Sequence, residues 1–152
     1  MDLIRDNPHG LSGLQQLQAM IAAGRRPPIA DALHFDLVEI ERGRALFRAV
    51  PGAHANNPIG VIHGGYAATL LDSACGCAVH ASLEPGQGYT TLEIKVAYHR
   101  ALGADTGPVE AEGKVLTLGR RVAFAEARLV DGQGRLCASA TSTLLVFEAN
   151  PR

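Results

Sequence analysis

The sequence predicts an α+β protein in which an antiparallel sheet of about five to six strands packs on one central helix. Three observations carry this. A run from about Gly65 to Leu83 is apolar nearly all round, and a helix without a polar face must be buried. Strand-like segments flank that run, two before it and four after it. Turn signals join strands that are neighbours in sequence, as antiparallel pairing allows.

Each element has its own warrant. Residues 10–23 place Leu11, Leu14, Leu17 and Ile21 at helical spacing, giving a short N-terminal helix that Gly24-Arg25-Arg26-Pro27-Pro28 ends. Leu33 to Ile40 alternates and reads as a strand; Glu41-Arg42-Gly43 turns it into a second, Arg44 to Val50. Pro51 to Gly60 is a loop rich in Gly, Asn and Pro. The central helix is crowded with Ala67, Ala68, Ala74, Gly76, Ala78 and Ala81, small residues that let another backbone come close, and Glu84-Pro85-Gly86 closes it. Tyr89 to Ala101 alternates Leu92, Ile94, Val96 and Tyr98 against Thr91, Glu93 and Lys95. Val109 to Leu118 alternates likewise, and Asp131-Gly132-Gln133-Gly134 joins Arg121–Val130 to Arg135–Phe147 as a hairpin. We expect residues 1–30 to be an N-terminal helix and linker, and residues 31–150 a single domain.

Composition removes several function classes. A net charge of −1 gives no general drive toward nucleic acid. The longest apolar run is interrupted by His63, Asp72 and His80, which argues against a membrane span. Met1-Asp2-Leu3-Ile4-Arg5-Asp6 lacks a basic segment leading into an apolar one, so no signal peptide is expected. Cys75, Cys77 and Cys137 have no disulfide or zinc spacing, and reduced cysteines in a cytoplasmic protein are expected. No histidine stands at metal-ligand spacing, so neither a metal nor a cofactor is expected.

The stretch that carries chemistry is Asn57 to Asp72. His63-Gly64-Gly65 opens the apolar helix, and bare N–H groups at a helix start can receive a developing oxyanion. Asp72 is a lone carboxylate two turns into the run, and an acid in an apolar wall can serve as base or nucleophile. At ~1.5 Å per residue, Asp72 lies roughly 10 Å along the helix from Gly65. A base must come within about 3 Å of its target. Either Asp72 serves a carbonyl held by a partner subunit's helix start, or the two groups do not act together.

The order of elements, with Asn57, His63-Gly64-Gly65 and Asp72 at this spacing, resembles the hotdog-fold thioesterases, in particular the phenylacetate-pathway (PaaI-like) branch. The strand Thr91–Arg100 and the Gly134–Ala138 run are also similar, and the likeness covers about residues 31–147. The resemblance implies hydrolysis of an acyl-coenzyme A thioester. It implies a backbone N–H at Gly64 on the thioester carbonyl, Asp72 as nucleophile or general base, and Asn57 orienting water or substrate. It implies a site at a homodimer interface, with dimers paired into a dimer of dimers.

Further candidates stand beside plainer readings. His63 could contact the thioester oxygen or simply cap the helix. Gly65, Tyr66 and Thr69 are candidate substrate contacts; Thr69, one turn before Asp72, could hydrogen-bond it. Some relatives place a hydroxyl one turn after the acid, where this chain has Gly76. Gly119-Arg120-Arg121 resembles the bend that relatives use on coenzyme A, with either arginine pairing with phosphate or standing as a solvated turn charge; Arg100 is a second phosphate candidate. Tyr66, Phe35 and Met20 are candidates for the acyl end. Cys75 and Cys77 read as buried packing rather than nucleophiles. Two other functions compete: a non-catalytic acyl-CoA binder or sensor, and a hotdog hydratase. Hydratase relatives carry an Asp and a His five apart on the central helix, or a His and a Glu on paired subunits; here the residue five after Asp72 is Cys77, and the motif does not match the second pattern either.

Overall fold

The computed structural model describes residues 2–3 and 10–149. The expectation about Met1 to Asp6 lies mostly outside the described residues, as does residue 150 at the expected domain limit.

Helix α1 (Gly13–Ala22) starts with a reciprocal cap: Ser12 Oγ accepts from Gln15 N–H, and the Gln15 side chain accepts from Ser12 N–H. A six-residue helix, α2 (Pro28–Leu33), follows where the sequence suggested only a break and the start of a strand. Pro28 sits in its first turn, where a missing N–H costs nothing. His34 then takes a left-handed φ of 56°, which ends the helix and delays the first strand to Phe35.

The strands are β1 (Phe35–Glu41), β2 (Arg44–Ala49), β3 (Gln87–Tyr98), β4 (Val109–Leu118), β5 (Val122–Asp131) and β6 (Leu136–Glu148). They form one antiparallel sheet in the order β1-β2-β4-β5-β6-β3. Helix α3 (Gly64–His80) packs across one face of it. The sheet floor beneath the helix is built from Ala111, Ala123, Ala125 and Ala127, all buried. Small side chains there let the helix backbone sit close. At Gly113 a Cβ would strike the Ala74 carbonyl, so only glycine fits. Leu70, Leu71, Ala74, Cys75, Ala78 and Val79 fill the space above with Phe35, Phe47, Leu129 and Leu144.

Two further features depart from the sequence reading. Helix α3 is not buried all round: Gly65 is exposed, and Ala68, Thr69, Asp72 and Ser73 are half-buried along one stripe that the sheet does not cover. Strand β3 carries a bulge between Thr91 and Glu93 that reverses the inward phase. Leu92 is consequently 58% exposed, while Tyr89 and Thr91 turn toward the helix.

Candidate active site

The start of α3 is fixed by the loop before it. Asn57 Oδ1 accepts from Ile59 N–H (3.1 Å) and Val61 N–H (3.2 Å), and Asn57 N–H donates to the Val61 carbonyl (2.8 Å). Asn57 therefore shapes the turn that delivers His63. His63 is the N-cap: its Nδ1 accepts from Gly65 N–H at 2.8 Å, which places the ring proton on Nε2. His63 also occupies the Tyr66 N–H through its carbonyl (3.0 Å). Gly64 N–H has no acceptor among the described residues. Of the two glycines, only Gly64 thus presents an uncommitted amide.

Tyr98 frames that amide. Its hydroxyl donates to the Gly64 carbonyl (2.7 Å), and a Cβ at position 64 would meet the Tyr98 hydroxyl at 3.1 Å. A cavity of about 280 Å³ opens beside it, lined by His63, Gly64, Tyr98, Arg100 and Cys137 among others. Cation, helix start and N–H donor therefore face one space, which suits an anion or a developing oxyanion.

Asp72 faces a different cavity. Thr91 Oγ1 donates to Asp72 Oδ1 at 3.0 Å, fixing the carboxylate and leaving Oδ2 for another partner. This cavity, about 570 Å³, is lined by Asp72, Cys77, His80, Tyr89 and Thr91 from the helix and β3, by Phe47 from β2, and by Leu17 and Met20 from α1. Volumes of this order hold small ligands. Burial pushes His80 down to about 4, so the ring is neutral and its Nε2–H donates to Gln16 Oε1 (2.8 Å), tying α1 to α3. Burial, with Asp72 nearby, pushes the Cys75 and Cys77 thiols up to about 12, which leaves them protonated and poor nucleophiles.

The remaining candidates divide. Thr69 donates to the Gly65 carbonyl (2.8 Å), not to Asp72. Tyr66 is buried in the core with its ring edge-on to His54 at 6.0 Å, and Phe35 packs on Phe47; neither lines the Asp72 cavity, whereas Met20 does. Gly119, Arg120 and Arg121 form the exposed β4–β5 turn, where the Arg121 carbonyl accepts from Val146 N–H (2.8 Å). Val146 and Cys137 are nine residues apart on β6, roughly 30 Å at ~3.3 Å per residue. The turn therefore lies far from its own chain's Gly64 cavity. Thr91 and Tyr89 were not singled out by sequence reasoning, because the β3 bulge puts them on the helix side against the strand's alternation; Tyr98 stood on the inward side of that alternation, but its contact with Gly64 had no local signal. Among the described residues no cluster could hold a metal, and no helix is long and apolar enough to cross a membrane.

A family model described as the thioesterase superfamily matches residues 59–138, more than half of the chain and the whole of this constellation from His63 to Tyr98. The chain belongs to that superfamily, with its hotdog fold. A proofreading thioesterase, EntH, of Cronobacter sakazakii is 30% identical over 106 residues, covering 68% of this chain and 76% of the relative. A 1,4-dihydroxy-2-naphthoyl-CoA hydrolase of Listeria monocytogenes is 25% identical over 118 residues, 78% of this chain and 94% of the relative. Among solved structures, a mutant form of the phenylacetic acid degradation protein PaaI from Thermus thermophilus is 30% identical with a TM-score of 0.71, covering 78% of this chain and 98% of that one.

Proposed function

We propose that this superfamily member is an acyl-CoA thioesterase that hydrolyses small aryl- or medium-chain acyl-CoA to free acid and CoA at two equivalent sites of a homodimer. One observation carries the reading. The uncommitted Gly64 N–H and the Thr91-held Asp72 carboxylate sit eight residues apart on one helix, roughly 12 Å, and open onto different cavities. Two chains related by a two-fold axis, with their α3 helices antiparallel along the half-buried stripe, bring one chain's amide to the other's carboxylate. In this reading the β4–β5 turn contributed by the second chain supplies an arginine for the coenzyme phosphate, beside Arg100 in the Gly64 cavity.

In this site the Gly64 N–H holds the thioester carbonyl and stabilises the tetrahedral oxyanion. Asp72 takes the proton of an attacking water, or attacks the carbonyl itself. His63 holds the helix start by capping Gly65, and Asn57 holds the loop that delivers His63. The apolar Leu17, Met20 and Phe47 wall receives the acyl group. In this reading the catalytic domain is residues 31–150, and α1 is an appended segment that closes its acyl cavity. The Listeria relative, named for hydrolysis of an aryl-CoA, supports the substrate class.

The test is thiol release from benzoyl-CoA and hexanoyl-CoA by wild type and Asp72→Ala. We expect turnover by wild type and a fall of about 10³-fold in the variant, the scale of a lost general base. Binding without release by wild type would move the protein to the sensor class, and equal turnover would remove Asp72 from the mechanism.

A further inference from the structure

We propose that Tyr89 is the residue that positions the hydrolytic water beside Asp72. The inference rests on the thioesterase reading above and adds a residue to it. Position 76 lies one helical turn after Asp72, on the same face of α3, and is a glycine. A Cβ there would lie 2.5 Å from the Tyr89 hydroxyl and 2.9–3.0 Å from its ring. The phenol tip thus occupies the volume that a side chain at 76 would fill, and the missing side chain is what admits it.

The neighbourhood fits a water site. Side chains at i and i+4 on a helix stand about 5–6 Å apart, so the Tyr89 oxygen and the Asp72 carboxylate are spaced to bracket one water. Both residues line the same cavity. Thr91 takes Asp72 Oδ1, which leaves Oδ2 for the water. The Tyr89 hydroxyl has no partner among the described residues. Burial holds Tyr89 well above the ordinary tyrosine range, so it stays a neutral phenol and Asp72 is the proton acceptor.

The step balances with water as sole co-reactant. One water O–H donates to Asp72 and the other to the Tyr89 oxygen, which points the lone pair at the thioester carbon. The new C–O bond forms as Asp72 takes the proton. The C–S bond then breaks, and the departing sulfur takes that proton to leave as the CoA thiol.

Tyr89→Phe keeps the ring and deletes the hydroxyl. With benzoyl-CoA or hexanoyl-CoA, whichever wild type turns over, we expect kcat to fall about 10–100-fold with KM within about twofold and the melting temperature unchanged. In a Tyr89→Val background, where the ring is gone, Gly76→Ser should recover part of the lost kcat and Gly76→Ala should not. Wild-type kcat in Tyr89→Phe, beside an inactive Asp72→Ala, would overturn the Tyr89 assignment alone. Equal kcat for Gly, Ala and Ser at position 76 would overturn it too. No hydrolysis by wild type would remove both the thioesterase reading and this one.

Discussion

The start and the middle of helix α3 present different groups. Its N-terminal end presents backbone: an uncommitted Gly64 N–H, a cap from His63, and a Tyr98 hydroxyl on the Gly64 carbonyl. Its middle presents side chains: the Asp72 carboxylate, the Thr91 hydroxyl on it, and the Tyr89 phenol across the same cavity. A backbone donor is deleted only by proline; any other side chain can only block it, and at position 64 a Cβ would already meet Tyr98. A carboxylate is deleted by any substitution except glutamate, which only moves it. The two regions should therefore fail differently, and separably.

That separability gives the largest expected effect. Gly64→Val should block the amide cavity and Asp72→Ala should empty the other, each homodimer losing about 10³-fold in kcat/KM. If one site takes its halves from two chains, a 1:1 mixture of the variants, unfolded and refolded together, regains activity. Half of the dimers are then mixed, and each has one intact site of two, so recovery approaches about one quarter of wild type. A mixture as inactive as its parents would place both groups in one chain, against the roughly 12 Å that separates them on the helix.

The same contrast explains what the sequence made legible. The backbone end is written in local residues: His63 as a cap, and glycine where a side chain would intrude. The hairpin turns at Gly43 and Gly134 are local in the same way, each with φ +76°. The side-chain end depends on partners distant in sequence. Asp72 stood out as a lone acid in an apolar run, but Thr91 and Tyr89 face it only because β3 bulges after Thr91. Strict alternation, read through the bulge, put Leu92 inside and Thr91 outside. Helix α2 escaped for another reason: six residues are too few to show a period, and Pro27-Pro28 reads as a stop when Pro28 is in fact a start.

A second prediction tests the wall of the Asp72 cavity. The pair His80–Gln16 pins α1, which supplies Leu17 and Met20, to α3. Burial lowers His80 from 6.5 to about 4, so the unfolded chain binds the proton more readily than the folded one. Stability from this residue is therefore complete above pH 6.5 and is lost as pH falls from there toward 4. Linkage puts the loss at about 2 kcal/mol by about pH 5 and about 3 kcal/mol by about pH 4. Urea unfolding of wild type and His80→Gln across this range should show the variant's stability falling less steeply by about that amount. Parallel curves would mean that His80 takes up its proton as readily in the folded protein as in the unfolded chain.

The smallest expected effect concerns how the carboxylate is aimed. Thr91→Val keeps the β-branched shape that suits a strand and removes only the hydroxyl that donates to Asp72 Oδ1. Asp72 would keep its charge and its place on the helix but lose the contact that fixes its rotamer. We expect kcat to fall about tenfold, near 1.4 kcal/mol, with KM little changed. Thr91→Ser should stay close to wild type, because the donor survives. A Val variant as active as wild type would mean that helix packing already aims the carboxylate. The β3 bulge would then matter for the shape of the cavity and the placing of Tyr89, rather than for holding the acid.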